Sequence, residues 1–393
     1  MRMQTVGAVN ALTARWARAL EPGGNTVFTA AGLWPLLALL ADGAAGRARG
    51  ELEETLGVPA AQAAEAAREL LAGFGAVGGL SAALGLWMRA GLPLEERWAA
   101  GLPAGTQGRL TGDPATDRAM LDRWAAERTG GLIETMPVAD PGRALLVLAS
   151  ALALQVTWRH PFTEHPEQPA TGPWAGRRLR RLSRYSARLD RVGVVAGGLT
   201  LYQVGGDAGT DVYLVLGTEQ AAPGEILARG VAAATRAVRA VPGAQLPEGA
   251  AGPGVRVTTV ESARPEPVLA LSTVAFSVAA EHDLLRQAPL FGLAEAARAS
   301  TGHFPGVSSH PLAVGEARQS AVAAFHARGF EAAAVTAIAM QPGGAPPPQR
   351  HRVRRIDIRF DRPFGFLSVH RASGLVLAAG WVADPEPPGG TAP

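Results

Sequence analysis

The sequence predicts an α+β fold, and three observations carry that prediction. Helical patterns crowd the first third of the chain and strand patterns dominate the rest, an order that suits α+β architecture and not alternating βαβ units. Residues 145–157 form a near-continuous apolar run, which suits a strand buried on both faces of a large sheet. With 393 residues, 47% of them hydrophobic, the chain is long enough to bury a sizeable core.

Element by element, residues 6–20 place Leu12, Trp16 and Leu20 at helical spacing and stop at Pro22-Gly23-Gly24. Helices follow over 31–42, 47–56 (ended by Gly57), 60–74 and 117–128, with a strand over 80–90. Strands are expected over 192–204 and 211–216, with turn chemistry at Gly205-Gly206-Asp207. Residues 221–254 are rich in Gly, Pro and Ala and give no assignment. Strands over 255–260, 268–280 and 319–326 and one or two short helices over 281–298 complete the pattern. The end, Glu386-Pro387-Pro388-Gly389-Gly390-Thr391-Ala392-Pro393, reads as a disordered tail.

Composition excludes several functions. There is no cysteine, so disulfides, thiolate ligands and thiol catalysis are all absent. All 37 basic residues are arginine, and the net charge of +3 is too small to imply a nucleic-acid partner. No apolar run reaches about 20 residues, so no transmembrane helix is expected. The N-terminus lacks a secretory pattern, which on sequence alone places the protein in the cytoplasm. The eight histidines show no metal-ligand spacing (His160 and His165 are five apart around a proline), and no metal or cofactor is expected. Ser183, His160 and Asp190 can be drawn as a triad, but no Gly-x-Ser-x-Gly accompanies them, and Gly205-Gly206-Asp207-Ala208-Gly209 has no nucleotide fingerprint around it. An enzyme is not expected.

A series of short motifs, in order, resembles the serpin family. Asn25-Thr26-Val27-Phe28-Thr29-Ala30-Ala31-Gly32 is similar to that family's entry into its second helix. Leu121-Asp122-Arg123-Trp124 with Thr129-Gly130-Gly131-Leu132-Ile133, and then Trp158-Arg159-His160-Pro161-Phe162, resemble the approach to the central sheet and the elbow after it. Phe291-Gly292-Leu293, Phe360-Asp361-Arg362-Pro363-Phe364 and Gly374 to Val382 resemble the later elements. The resemblance, closest in kind to bacterial members, implies one domain over 1–385. It implies eight or nine helices around a large central mixed sheet, two smaller sheets, and an exposed reactive-centre loop near 329–355. It also implies a monomeric, extracellular inhibitor of a serine protease that acts by suicide-substrate trapping.

Within that resemblance, Gly329, Phe330, Glu331, Ala332, Ala333, Ala334, Val335 and Thr336 correspond to the loop's hinge. On their own these residues also suit a helix, because Glu-Ala-Ala-Ala is a good helix former. Small side chains let a strand enter an existing sheet without overpacking it. The family's usual scissile bond falls at Gly343-Gly344, with bait expected somewhere between Ile338 and Arg355. Met340 suits an apolar protease pocket, while Arg350, Arg352, Arg354 and Arg355 suit a trypsin-like enzyme. Three departures argue for a non-inhibitory, substrate-like alternative: Phe330 in place of a small residue, Ala327 in place of a glutamate, and a long, proline-rich loop. Thr29, Gly32, Ser150 and Gln319 occupy the sheet-opening region, with Ser150 and Gln319 standing where the family commonly pairs asparagine with histidine. Arg177, Arg178, Arg180, Arg181 and Arg184 form a candidate polyanion site, against the alternative of a solvated strand face.

Overall fold

A computed structural model of the chain describes residues 1–21, 23–298, 302–330 and 350–386. The α-helices among them are α1 Met3–Arg18, α2 Ala30–Asp42, α3 Gly46–Leu56, α4 Ala60–Phe74, α5 Glu96–Ala100, α6 Pro114–Thr129 and α7 Pro223–Ala234. Local chemistry sets their ends. The Thr29 hydroxyl caps α2 by accepting from the Gly32 N–H, and Asp113 caps α6 through the Thr116 N–H. Gly57 and Gly130 terminate α3 and α6 in the left-handed conformation.

The strands, in chain order, are β1 Thr26–Phe28, β2 Leu80–Arg89, β3 Gln107–Leu110, β4 Leu146–Leu154, β5 Val156–Thr157, β6 Thr163–Glu167 and β7 Leu179–Ser186. Then come β8 Val192–Val195, β9 Leu199–Gly205, β10 Thr210–Gly217, β11 Ala240–Pro242, β12 Gly249–Gly252, β13 Val255–Ser262 and β14 Val268–Val274. The last are β15 Phe276–Asp283, β16 Glu316–Phe325, β17 Gly329–Phe330, β18 His351–Arg359, β19 Phe364–His370 and β20 Leu375–Val382. They form a five-stranded mixed sheet (β15-β16-β4-β2-β3), a six-stranded sheet (β12-β13-β18-β14-β7-β6) and a seven-stranded antiparallel sheet (β1-β20-β19-β10-β9-β8-β11). The β17–β5 pair stands apart at the head of the first sheet.

Helices around a mixed sheet and two further sheets are the architecture expected of the chain. Strand β4 of the mixed sheet is buried along its whole length. Leu146 and Leu148 enter the main core, whereas Val147, Ala149 and Ala151 pack with Leu121, Ala125 and Trp87 under α6, so both faces are covered.

Several expected elements change. The strand over 192–204 is a hairpin, β8–β9, turned by Gly197 and Gly198 with φ of 78° and 77°. The strand over 268–280 divides at Ala275, where the chain passes from the six-stranded to the five-stranded sheet. The unassigned stretch holds α7, whose Ile226, Leu227 and Val231 are buried. Glu386, expected in the tail, is buried, and its N–H donates to the Ala275 carbonyl at 3.2 Å.

The largest correction concerns the end of the loop. Arg352, Arg354 and Arg355 lie inside β18, which pairs antiparallel with β13 from Val255↔Ile358 to Ser262↔His351 and parallel with β14 from Val268↔Arg355 to Ser272↔Arg359. Val353, Ile356 and Ile358 bury this strand despite its arginines. The loop therefore ends by Arg350, not Arg355.

Candidate functional site

β16 and β4 run parallel, in register from Glu316↔Val147 to Val322↔Ala153. At the top of β16 the chain turns back, and the His326 N–H donates to the Gly329 carbonyl at 2.8 Å. Gly329 and Phe330 then pair antiparallel with Thr157 and Val156, in β5, which continues the line of β4. Thus the first two residues of the expected hinge already lie in strand geometry at the head of the β16–β4 seam. Gly329 is needed there: a Cβ on it would stand 2.5 Å from the Val156 carbonyl oxygen. Glu331, Ala332, Ala333, Ala334, Val335, Thr336, Met340, Gly343 and Gly344 lie outside the described residues. Arg350 is exposed and pairs with Glu261 at 2.8 Å.

The turn is clamped from the side. The Trp158 indole N–H donates to the His326 carbonyl at 2.8 Å, and the backbone N–H groups of Trp158 and Phe162 donate to Arg328 and Ala327, each at 2.8 Å. Phe325 packs against Trp158, Phe162 and Phe276. Beside this cluster, Arg180 bridges Glu164 at 2.7 Å and Glu386 at 3.4 Å. Charge pairing near the hinge is thus present although Ala327 supplies none. Sequence reasoning missed both His326 and Glu386, because each becomes informative only when the C-terminal residues dock beside β7.

His326 is 4% exposed. Burial, with Arg180 adding to it and Glu164 opposing, pushes its imidazole down to about 4. The unfolded chain takes up this proton near pH 6.5, whereas the folded one does so near 4. The stability of the neutral, buried ring is therefore complete above pH 6.5 and is lost as pH falls through that window, by about 3 kcal/mol in all. Burial raises the Glu386 carboxyl, so its contribution has the opposite slope above the usual carboxylate value. The expected result is that His326→Gln removes most of the decline in stability between pH 6.5 and 4, measured by urea unfolding at successive pH values against the unchanged protein.

Thr29, Gly32, Ser150 and Gln319, the residues expected in the sheet-opening region, converge. Ser150 and Gln319 face each other in the parallel register across the seam, with the Gln319 Nε2 at 3.5 Å from the Ser150 Oγ. The same amide accepts from the Thr29 N–H at 2.8 Å and donates to the Thr29 carbonyl at 2.9 Å. The Thr29 hydroxyl donates to the Leu377 carbonyl, and the Ser150 hydroxyl donates to the Gly32 carbonyl at 3.1 Å. Ser150 and Gln319 are fully buried. The Ser150–Gln319 contact thus spans the boundary between β16 and β4. Lower down, the Glu316 carboxylate holds β16 to the chain after α6, accepting from the N–H groups of Ala139 (2.8 Å) and Asp140 (2.6 Å).

The basic stretch is largely neutralised. Arg181 is 1% exposed and paired with Glu167, and Arg177 pairs with Asp384. Arg180 is committed to Glu164 and Glu386, and Arg184 lies over the Phe162 ring, 4.5 Å from its centroid. These arginines therefore do not form one free cationic strip, because Arg177, Arg180 and Arg181 are paired with carboxylates and the successive residues Arg180 and Arg181 of β7 point to opposite faces. Among the described residues, no group of three or more His, Cys, Asp or Glu is placed to hold a metal, and no helix is long and apolar enough to cross a membrane.

The family model described as "Serpin (serine protease inhibitor)" matches residues 8–171 and 261–385, and the chain belongs to the serpin family. Serpin-Z8 of rice (Oryza sativa subsp. japonica) is 26% identical over 97% of this chain and 96% of its own length. Serpin-Z6C of the same species is 43% identical over 75 residues, 18% of its length. These relatives are from a plant, so the expected kinship with bacterial members finds no support. The native thermophilic serpin tengpin superposes with a TM-score of 0.77 at 12% identity, covering 98% of this chain and 95% of its own. Human thyroxine-binding globulin with its hormone gives 0.74 at 17% identity, covering 98% of both chains. These likenesses establish the serpin fold.

Proposed function

We propose that this protein inhibits a serine protease by suicide-substrate trapping, in which the cut loop enters the five-stranded sheet between β16 and β4. One observation carries the reading: the chain leaving β16 has already begun an antiparallel strand at the head of a parallel seam. A strand inserted there replaces one parallel ladder with two antiparallel ones, the better hydrogen-bonding arrangement. Continued without a slip, the Gly329↔Thr157 register sets Met340 opposite Leu146, the first residue of β4. Ala332, Ala333 and Ala334 supply the small side chains that such a strand needs. A cut between Met340 and Gly344 would release just enough chain to fill the seam.

The far end of the loop supports the need for a cut. β18 is paired on both sides, so pulling it free would break two ladders at once. The uncut loop is held at both ends, and hydrolysis frees one of them. Residues 331–349 contain no arginine, and their apolar side chains are those of alanine, valine, isoleucine, methionine and proline. This favours a target with a small or apolar specificity pocket, of the elastase or subtilisin kind, over a trypsin-like one.

The test is direct. On incubation with elastase, subtilisin and trypsin in turn, an adduct resisting boiling in SDS is expected with one of the first two, and the mass of the released C-terminal peptide should place the cut at 340–344. Clean cleavage without an adduct by every protease tried would discard the trapping mechanism and favour a non-inhibitory member of the family.

A further inference from the structure

A second, unrelated site stands out in the cavity that opens beside β7, the turn into β8 and the chain just after β5. It measures about 340 Å³ and is lined by Arg159, His160, Arg184, Tyr185, Arg188 and Arg191, with Tyr202 and the Gly205 backbone behind them. We propose that it binds a compact phosphoryl dianion, the phosphomonoester or diphosphate of a small molecule.

The charge balance is the first argument. Four guanidinium groups line the cavity, and no carboxylate does. Of the four, only Arg188 has a carboxylate partner among the described residues, in a two-pronged pair with Asp190 at 2.8 and 2.7 Å. Arg159 spends its Nε on the Gly206 carbonyl at 3.0 Å, which leaves its terminal nitrogens uncommitted among the described residues. The Arg191 guanidinium has no hydrogen bond or close ion pair among the described residues, and its terminal nitrogens lie over the Gly205 backbone, 3.6 and 3.7 Å from where a Cβ would be. Like charges gathered in a concave wall focus a positive potential, and an anion relieves their mutual repulsion.

Preorganisation is the second argument. The Arg184 guanidinium is fixed 4.5 Å above the Phe162 ring and 5.8 Å from the Tyr202 ring, and it donates to the His160 carbonyl at 2.8 Å and the Tyr202 hydroxyl at 3.1 Å. Tyr202 is 1% exposed, and its own hydroxyl proton has no acceptor among the described residues. A guanidinium held flat in this way loses little freedom on binding, and its fork matches phosphoryl oxygens. Tyr185, 70% exposed, stands at the rim, where it offers an aromatic face to a ring or sugar attached to the anion. The volume lies at the small end for ligand sites, which fits a small molecule better than a length of polymer. The proposal does not depend on protease trapping.

The test is calorimetric titration of the full chain with inorganic pyrophosphate and with phenyl phosphate at 0.15 M NaCl. Stoichiometric binding is expected, and Arg191→Gln and Arg159→Gln should each weaken it about tenfold or more, the size of one charge-assisted hydrogen bond. The unliganded melting temperature of Arg191→Gln should match that of the parent, which separates lost contacts from lost folding. Absence of binding at millimolar ligand, or equal affinity in both variants, would overturn the proposal. So would binding confined to a long sulfated polysaccharide with a steep salt dependence, because that describes an exposed strip and not a pocket.

Discussion

Under the proposed mechanism, Gly329→Val is expected to turn the protein from a trap into a substrate. The Cβ it adds would meet two backbone groups, the Val156 carbonyl oxygen at 2.5 Å and the Thr157 Cα at 3.3 Å, and neither can rotate away. Relief requires β17 to leave β5, which removes the register that guides the rest of the loop into the seam. Overpacking of this kind costs about 1–3 kcal/mol. Placed on the barrier to insertion, a loss of about 1.4 kcal/mol slows it tenfold relative to hydrolysis of the acyl-enzyme. The ratio of inhibitor molecules hydrolysed to molecules trapped should therefore rise about tenfold, measured by titrating residual protease activity. An unchanged ratio would mean that the β17–β5 pair plays no part in trapping.

Gln319→Ala is expected to weaken the uncut protein and loosen its seam. The amide is fully buried and satisfies both backbone groups of Thr29, at 2.8 and 2.9 Å, while facing Ser150 across the boundary between β16 and β4. Alanine orphans a buried N–H and a buried C=O, each worth about 1–3 kcal/mol. The melting temperature of the uncut variant should fall by about 5 °C or more, with several kcal/mol spread over a large unfolding entropy. Self-association on mild heating should also begin earlier, since the Ser150–Gln319 contact no longer resists parting of β16 from β4. Calorimetry and size-exclusion chromatography read the two effects. Gln319→Glu is the useful companion, because it keeps the acceptor toward the Thr29 N–H and loses the donor toward the Thr29 carbonyl.

Much of the fold was legible because burial repeats in the local pattern. The apolar run over 145–157 announced β4, and helical spacing announced α1. Gly57 marked the end of α3 as the chemistry of left-handed caps requires. What escaped did so for physical reasons. α7 is built largely from Gly, Ala and Pro, with three larger apolar side chains, so its composition resembles a loop. Ala275 carries no signal that the chain changes sheets there. β18 was read as bait because its arginines dominate the pattern, whereas Val353, Ile356 and Ile358 decide its burial between two neighbours that lie far away in sequence. Of the site, Gly329 and the Ser150–Gln319 pair were identifiable only through family resemblance. The role of His326 depends on Glu164, Arg180 and Glu386, three residues that no local pattern connects.

The most direct measurement is to melt the uncut protein and the same protein cut once within 331–349, side by side. If the freed strand fills the seam, about ten residues gain antiparallel partners on both sides, at roughly 0.5–1.5 kcal/mol for each hydrogen bond. The account predicts that the cut protein melts at least about 10 °C higher. A cut protein that melts at the same temperature as the uncut one, or below it, would contradict insertion and with it the proposed mechanism.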